Sequence, residues 1–509
     1  MGYKEINVKL PTDYDDRELR GRLERMLKID NFSFHITNKS LDARKKDKIH
    51  WLTKIAVISD EIKGDMPITK EPLRIPYKKR DKKAVIVGSG PAGFFTAYVL
   101  QKAGFATTII ERGTKVEKRE KGITSFEETG MFDSKSNYAF GEGGAGTFSD
   151  GKLTSRSKRI SQEKQFIFSS YIDAGAPKEI AYLAHPHLGS NNLKDIVKNL
   201  RNQFLEIGGE ILFETMLEDI KVVDGKVTQA ITSEGVLDAD YFIVASGHSA
   251  YETYKMLMKR GVQFGTKNFA IGSRIEHPQR IVNLAQWGKE ELPGVKAAEY
   301  RLTSKGNGKQ NIYTFCMCPG GSIVPSTPYQ NSSIVNGMSM YNRDSEFANS
   351  AVVAGIHPDQ LLNKVASPQE TLDILEKLEM SFFNYSKGYR VPYCNINDFI
   401  KKRESFKKID TSYPLGTMPA PLWELLPPQI SSALREGLKD FNKKIRGFTS
   451  GNIMGLESKT SAPIQALREE NRLCSGFKNL YFVGEGSGFA GGIVSSAADG
   501  IKTAMAIID

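Results

Sequence analysis

Residues 84–93 (Ala-Val-Ile-Val-Gly-Ser-Gly-Pro-Ala-Gly) constrain the fold of this 509-residue chain more than any other stretch. Apolar β-forming residues precede glycines at 88, 90 and 93, and an apolar-periodic segment follows them. This pattern predicts a buried parallel strand, a tight turn and a helix. Gly88 permits the turn, Gly90 lets backbone approach a pyrophosphate, and Gly93 allows the helix to pack closely on the strand. The free N–H groups at the start of the helix favour an anion.

A second predicted strand, residues 106–110, ends at Glu111, which lies 18 residues after Gly93. An acid at about this distance binds the nucleotide ribose in dinucleotide folds. A glycine-rich turn without a ligand is the alternative, and the combined spacing disfavours it. The sequence therefore predicts a dinucleotide-binding βαβ unit.

A second glycine cluster occupies residues 140–153 (Phe-Gly-Glu-Gly-Gly-Ala-Gly-Thr-Phe-Ser-Asp-Gly-Lys-Leu). Ordering glycine costs about 0.5–1 kcal/mol per site relative to alanine in regular structure. We therefore expect a ligand to lie against the bare backbone of this segment. A flexible surface loop is the alternative, but the interleaved Phe140, Phe148 and Leu153 suit it poorly.

The rest of the chain continues this unit and interrupts it. The predicted elements are a helix over 193–207 capped by Ser190 or Asn191, a strand over 210–213, a hairpin turn at Asp224-Gly225, a strand over 241–244, and a C-terminal strand and buried helix over 480–508. Residues 250–455 alternate helices with strands, without a second nucleotide fingerprint. This middle region is predicted to be an inserted substrate domain.

The first 83 residues predict a small βαββ domain followed by a linker over 64–83. They hold 21 Lys and Arg against 14 Asp and Glu, so most of the net charge of +11 belongs to them. The basic loop over 40–46 could bind a polyanion, but a solvated charged loop is the preferred interpretation. The charge distribution therefore does not favour nucleic acid as a partner.

The four cysteines are too few for a disulfide framework and fit a reducing compartment. Cys316 and Cys318 form a C-x-C pair that alternates on an apolar strand, so both are predicted to be buried small side chains. No His/Cys grouping has zinc-site spacing, and no metal is predicted. Because no apolar run reaches about 18 residues and the N-terminus lacks an apolar leader core, the chain is predicted to be cytoplasmic without a membrane partner.

The motifs together resemble a known architecture. The GxGxxG turn, the strand-terminal acid, the Ala-Ser-Gly strand end and the C-terminal strand-Gly-Glu turn are similar to the FAD-binding domain of glutathione-reductase-type flavoproteins. Residues 141–153, 247–250, 317–321, 457–463 and 484–492 resemble a bacterial family of FAD-dependent dehydrogenases. The resemblance implies non-covalent FAD as cofactor.

The resemblance also implies an α/β organisation in three domains. These are an N-terminal α+β (βαββ) domain with linker at 1–79, a discontinuous Rossmann-like FAD-binding domain at 80–250 and 455–509, and an inserted α+β substrate domain at 251–454.

By the same resemblance, the three fingerprint glycines face the FAD pyrophosphate and Glu111 binds the adenosine ribose. Met216 or Leu217 contacts the adenine through its backbone. The Gly484-Glu485 pair contacts the ribitol, and the Gly492-Ile493 pair contacts the O2 side of the isoalloxazine ring. The full predicted FAD-binding set is Gly88, Gly90, Pro91, Ala92, Gly93, Glu111, Arg112, Gly143, Gly144, Ala145, Gly146, Thr147, Met216, Leu217, Ala245, Ser246, Gly247, Gly484, Glu485, Gly492 and Ile493.

The predicted function is an oxidoreductase that exchanges a hydride between flavin N5 and an unidentified small molecule. His248 and His187 are candidates for the proton-transferring group, and Lys152 is a candidate for flavin electrostatics; a histidine that bonds backbone beside the cofactor is the alternative. NADH or NADPH could enter transiently as reductant. Two other classes stay open: a flavin-dependent RNA-modifying enzyme, and a non-catalytic flavin-binding scaffold or sensor.

Overall fold

The computed structural model describes residues 2–65, 71–404 and 408–509. The N-terminal elements are β1 (Gly2–Leu10), α1 (Asp16–Leu27), β2 (Ser33–Asp42) and β3 (His50–Ser59). The three strands form an antiparallel sheet in the order β1-β3-β2, with α1 packed on one face through Leu19 and Leu23. The predicted βαββ order is therefore present. Part of the predicted linker, residues 66–70, lies outside the described residues.

Two local expectations for these residues need correction. The sequence predicts that Asp15 or Asp16 caps α1 and that Leu19, Leu23, Met26 and Leu27 form its apolar stripe. Asp15 is the cap, its carboxylate accepting from the Glu18 N–H at 2.7 Å, but Met26 is 55% exposed and lies outside the stripe. Strand β2 also runs on to Asp42 by pairing with β3, so the predicted loop over 40–46 begins later than expected. Pairing with a neighbouring strand overrode the local composition in this segment.

The next elements alternate strands and helices. They are β4 (Lys83–Val87), α2 (Pro91–Lys102), β5 (Ala106–Glu111), α3 (Val116–Thr129), α4 (Ser161–Asp173), α5 (Gly189–Glu206), β6 (Glu210–Phe213), β7 (Leu217–Val223), β8 (Lys226–Thr232), β9 (Gly235–Asp238) and β10 (Tyr241–Val244). Asp224 and Gly225 turn the β7–β8 hairpin with φ of +50° and +73°, as their dipeptide predicts. Helix α5 begins at Gly189 without a side-chain cap, so the prediction that Ser190 or Asn191 caps it is wrong. Ser190 instead lies inside the helix and donates to the Thr147 carbonyl at 3.3 Å.

The middle of the chain is a mixed α and β region. Its elements are α6 (Tyr251–Lys259), β11 (Phe264–Thr266), β12 (Phe269–Pro278), α7 (Gln279–Trp287), β13 (Thr303–Ser304), β14 (Ile312–Cys318), β15 (Gly321–Pro325), β16 (Val335–Ser339), β17 (Phe347–Ile356), α8 (Pro358–Leu362), α9 (Pro368–Ser386), β18 (Val391–Asn395), α10 (Ile396–Lys401), β19 (Thr417–Pro419), α11 (Leu422–Leu425), α12 (Pro428–Lys444), β20 (Asn452–Glu457) and β21 (Ile464–Ala466). Seven of these strands form one sheet in the order β13-β14-β17-β12-β20-β18-β19.

The chain returns to the first large sheet at its C-terminal end, through β22 (Leu480–Phe482) and α13 (Ile493–Ile508). The five-stranded sheet has the order β22-β10-β4-β5-β6, and every neighbouring pair is parallel. Helices α2 and α13 cover one face of this sheet. They cross so closely that a Cβ at Gly500 would lie 2.2 Å from the Ala92 carbonyl oxygen, so glycine is required there. The predicted α/β class with a parallel sheet is confirmed, and the carboxyl ends of β4, β5, β10 and β22 meet at one edge.

Candidate functional site

A large cavity opens at the carboxyl edge of the five-stranded sheet. It encloses about 1840 Å³ of space, its open mouth included. Its lining includes the β4–α2 turn, the end of β5, the second glycine cluster, residues 215–217, the end of β10, the residues after β22 and the start of α13, together with side chains from the region between β10 and β22. Most of the predicted FAD-binding residues line this cavity, namely Gly88, Gly90, Pro91, Ala92, Glu111, Arg112, Gly144, Ala145, Gly146, Met216, Leu217, Ala245, Ser246, Gly247, Glu485, Gly492 and Ile493.

Four predicted residues support this wall from behind instead of lining it. They are Gly93, Gly143, Thr147 and Gly484. A Cβ at Gly93 would meet the Gly88 carbonyl oxygen at 1.9 Å, so this glycine lets α2 pack against the turn. The Gly484 N–H donates to the Asp499 carboxylate at 2.9 Å, which ties the end of β22 to α13.

The β4–α2 turn presents bare backbone to the cavity. Helix α2 begins after Gly90 with no side-chain cap and with Pro91 in its first turn. A Cβ at Gly90 would have the Gly144 Cα, at 3.7 Å, as its nearest neighbour. Protein packing therefore does not require glycine at position 90, whereas an anion at the uncapped helix start would use the open approach.

Glu111 organises the loops around that turn. One carboxylate oxygen accepts from the Ser89 N–H at 2.9 Å and its hydroxyl at 2.7 Å, and the other accepts from the N–H groups of Gly113 at 2.9 Å and Gly141 at 3.1 Å. The buried acid thus fastens both glycine segments to the end of β5. Glu111 also lines the cavity, so a ligand could reach its carboxylate. Its binding of a ribose stays a prediction.

Arg119 holds the second glycine cluster in shape. This fully buried guanidinium on α3 donates to the carbonyls of Asn137, Tyr138, Glu142 and Gly144 at 2.8–2.9 Å. Phe140, Phe148 and Leu153 are buried as well. The segment is therefore a packed loop with a bare inner surface and not a flexible surface loop, and its contact with a ligand stays a prediction.

A buried ion pair between Arg201 and Glu142 also supports this loop. Arg201 on α5 donates to the Glu142 carboxylate at 2.7 Å and to Glu117 at 2.9 Å. Burial raises the pKa of Glu142 to about 7, although the Val116 N–H and the Arg201 charge lower it. No periodicity or motif in the sequence marks Arg119 or Arg201, because their partners are backbone carbonyls and acids from distant elements.

His248 and Glu485 face each other from the ends of β10 and β22. The imidazole Nδ1 lies 3.6 Å from the Glu485 Oε1. Burial, and then the charge of Lys459, lower the pKa of His248 to about 3, while burial raises the pKa of Glu485 to about 7. The imidazole is therefore neutral at physiological pH, and its Nε2 is buried with no hydrogen-bond partner among the described residues.

Lys152 lies at the far end of the glycine cluster in a charged group. Its ammonium contacts the Asp150 carboxylate and the Met317 carbonyl, and Asp150 also accepts from Arg343 at 2.6 and 2.9 Å. Burial alone would lower the pKa of Lys152, but the Asp150 charge raises it overall, so the lysine stays cationic at the cavity wall.

His187 lies behind this group rather than in the cavity wall. Its Nε2 lies 3.0 Å from the Tyr341 carbonyl oxygen, and its ring packs on the Tyr341 ring with centroids 5.4 Å apart. Burial and the Arg343 charge lower its pKa to about 4. The structure thus brings His248 and Lys152 to the cavity but does not bring His187 there.

The cavity wall has bare backbone and, within the described part of the chain, an unpartnered hydroxyl group that FAD could contact. A Cβ at Gly247, Gly491 or Gly492 would meet no atom within 4 Å, so bare backbone faces open space on two sides. Ser246 Oγ, next to it on the wall, is buried without a partner among the described residues. These surfaces fit a flavin dinucleotide. The starts of α2 and α13 have no side-chain cap, Glu111 ends β5, Glu485 follows β22, and bare glycine backbone lies between them.

Two further structural findings limit other site types. Among residues 2–65, 71–404 and 408–509, no group of three or more His, Cys, Asp or Glu side chains could hold a metal ion. No helix in those ranges is long and apolar enough to span a bilayer.

Comparisons with known proteins identify the cofactor. Residues 81–253 match the family described as FAD binding domain, and residues 268–460 match the family described as FAD-dependent protein, C-terminal domain-like. An uncharacterized protein of Clostridium beijerinckii is 38% identical over 531 residues, which cover 100% of this chain and 99% of that protein. The predicted FAD cofactor and flavin-dependent enzyme class are confirmed.

Solved structures show more distant likenesses. CtdE in complex with FAD is 12% identical with a TM-score of 0.37, covering 84% of each chain. L-proline dehydrogenase from P. horikoshii is 12% identical with a TM-score of 0.36, covering 85% of this chain and 94% of that one. These scores are too low to carry an argument about substrate. The two family matches and the full-length bacterial relative are sufficient without them: the chain belongs to a family of FAD-dependent proteins.

Proposed function

We propose that the protein is a FAD-dependent dehydrogenase or reductase acting on a small molecule that enters the cavity opposite the flavin. The observation that carries this proposal is the composition of the cavity wall. The cavity is also lined by side chains from the region between β10 and β22, in addition to the predicted FAD-binding segments. These are Phe315, Cys316, Ser326, Asn336 and Lys459. A second wall of aromatic, thiol, hydroxyl, amide and ammonium groups can position a polar organic substrate.

The proposal assigns separate tasks to the domains predicted from sequence. Residues 80–250 and 455–509 would bind FAD, because they supply the strands of the five-stranded sheet. Residues 251–454 would bind substrate, because they supply most of the seven-stranded sheet behind the second wall. The proposed substrate position is therefore the space between the two sheets.

FAD, when bound, supplies the two-electron acceptor or donor, and the protein supplies binding, orientation and proton handling. His248 would accept a substrate proton at Nε2, since the imidazole is neutral and that nitrogen has no partner among the described residues. Glu485 would steady the charged imidazole from 3.6 Å. The Lys152 ammonium and the start of α13 would place positive potential along the same wall.

An anaerobic screen of the purified, FAD-loaded protein tests this proposal. Candidate alcohols, amines, acids, NADH and NADPH are added separately, and bleaching of the flavin absorbance is followed. We expect at least one class to reduce the flavin, and His248→Ala to slow that reduction while FAD stays bound. If dithionite bleaches the flavin but no candidate class does, the result favours a scaffold or sensor over an enzyme of this kind.

A further inference from the structure

The C-x-C pair departs from a regular strand at the cavity. Cys316 has a φ of +44°, and the pairing of β14 with β17 shifts register between Phe315 and Cys318. Cys316 is partly exposed and lines the cavity, whereas Cys318 is fully buried. The prediction that both are simply buried small side chains is therefore wrong for Cys316.

The irregular backbone brings the two thiols together. Alternate residues on a regular strand are separated by about 6.5–7 Å along the chain. At this bulge the Cys318 thiol donates to the Cys316 carbonyl oxygen at 3.3 Å, and each cysteine shifts the pKa of the other. A left-handed conformation in a non-glycine residue is strained, and such strain is concentrated at functional sites.

Arg274 places a fixed positive charge beside the pair. This fully buried guanidinium lies 2.6 Å from the Cys316 carbonyl oxygen and 3.4 Å from the Cys318 Sγ through Nη2. Its other nitrogens are fixed by Asn349 at 2.7 Å and by Asn336 and Glu457 at 3.0 Å. The guanidinium therefore cannot turn away from the sulfurs without breaking several buried contacts.

The charges around the pair favour one thiolate. The hydrogen bond from Cys318 lowers the pKa of Cys316 despite burial, and the charges of Arg274 and Lys152 lower it further, while Asp150 opposes this. The pKa of Cys318 is raised by its partner and by burial. Glu485 and Glu457 also face Cys316, since the Cys316 charge raises the pKa of both. The exposed member of the pair is thus the reactive thiol.

We propose that Cys316 and Cys318 form a redox-active dithiol that exchanges two electrons with the flavin. In the oxidising direction two S–H bonds break and one Cys316–Cys318 S–S bond forms. The two electrons and two protons released pass to oxidised FAD, which becomes two-electron-reduced FAD; the reverse direction restores both thiols. This inference rests on the proposed position of the flavin beside the start of α13, on the cavity wall that Cys316 shares.

The other cysteines provide an internal comparison. Burial raises the pKa of Cys394 and of Cys474 to about 12. Neither lines the cavity, and Cys394 lies in the apolar core beside Ile396. Cys394→Ser is therefore a matched control that removes a thiol without touching the pair.

The test is an anaerobic dithionite titration of the FAD-loaded protein after mild oxidation. We expect wild type and Cys394→Ser to take up about four electrons per FAD, two for the flavin and two for the disulfide. Cys316→Ser and Cys318→Ala are expected to take up about two. In Cys318→Ala, Cys316 loses the interaction with Cys318 but keeps the charges of Arg274 and Lys152, so a long-wavelength absorption of its thiolate with oxidised FAD should appear as the pH is raised, and Cys316→Ser should lack it.

Thiol counting provides a readout that does not depend on turnover. Oxidised wild type, denatured and alkylated, should carry two blocked cysteines, and peptide mass mapping should find them linked as Cys316–Cys318. An uptake of about two electrons by wild type with all four thiols free would overturn the dithiol, even if a substrate reduces the flavin. If wild type takes up four electrons from dithionite but no compound in the substrate screen reduces the flavin, the dithiol is supported and the proposed dehydrogenase is not.

Discussion

The Nδ1 of His248 lies 3.6 Å from the Oε1 of Glu485, and these two side chains come from strands that neighbour each other in the parallel sheet. Their residues are separated by more than two hundred positions in the chain. The pair combines a neutral imidazole with a carboxyl group of raised pKa at the cavity wall.

His248→Gln should slow flavin reduction by any substrate found in the screen. Loss of a positioned proton acceptor lowers the rate by about 10²–10⁴-fold. The FAD content should not change, because a glutamine retains a polar group at the wall. Stopped-flow absorbance measures the rate, and His35→Gln on the exposed side of β2 is the control. An unchanged rate would remove His248 as the proton acceptor.

Glu485→Gln should change how stability depends on pH in the FAD-free protein. Burial raises the folded-state pKa of this group from 4.5 to about 7. Its contribution to the free energy of unfolding is therefore fully present below about pH 4.5 and is lost as the pH rises through about 7. The loss is about 3 kcal/mol in wild type and should be absent in the variant.

Thermal midpoints at about pH 5 and about pH 8 measure this difference. The advantage of the glutamine variant should grow with pH, whereas Glu470→Gln, at an exposed position, should follow wild type. Parallel pH profiles for wild type and Glu485→Gln would contradict the raised pKa.

Gly90→Ala and Gly93→Ala should separate cofactor binding from folding. At Gly90 the new methyl group would meet only the Gly144 Cα at 3.7 Å, so the FAD-free protein should keep its thermal midpoint. The methyl group would nevertheless occupy the approach to the helix start, and FAD affinity should fall at least about tenfold, or about 1.4 kcal/mol. At Gly93 the contact of 1.9 Å with the Gly88 carbonyl oxygen should lower the midpoint itself.

FAD titration followed by flavin fluorescence, together with melting of the FAD-free protein, distinguishes these outcomes. Full FAD affinity in Gly90→Ala would place the pyrophosphate elsewhere in the cavity.

Arg119→Met should loosen the second glycine cluster. The substitution leaves four backbone carbonyls without their buried donor, and each unsatisfied group costs about 1–3 kcal/mol. We expect a large drop in thermal midpoint and rapid proteolysis within residues 137–153. Lys121→Met, at an exposed position on the same helix, controls for loss of a charge on α3. Equal melting of the two variants would show that the loop keeps its shape without Arg119.

Local patterns were sufficient for the parallel sheet and its ligand-binding edge. The spacing of Gly88, Gly90 and Gly93 predicts the β4–α2 turn because each glycine answers a short-range steric demand. The turn at Asp224-Gly225 followed from the same kind of rule. These features depend on atoms close in sequence, so a single chain reveals them.

Features set by distant partners could not be predicted. Ser190 has the chemistry of a helix cap, yet the chain enters α5 through Gly189, where a Cβ would meet the Tyr341 backbone nitrogen at 2.2 Å. Cys316 reads as one step of an alternating strand, but the register shift against β17 turns it toward the cavity. Arg119 and Arg274 look like ordinary surface charges until the carbonyls and acids around them are known.

The position of β22 in the chain determines when the site can form during synthesis. This strand pairs with β10, although the whole inserted region lies between them in sequence. During synthesis, the ribosome must release residues beyond 480 before β22, Glu485 and the start of α13 can join the sheet. With the proposed FAD-binding residues, the flavin can therefore bind only late in biosynthesis, and a chain that stalls inside the inserted region lacks part of the proposed binding site.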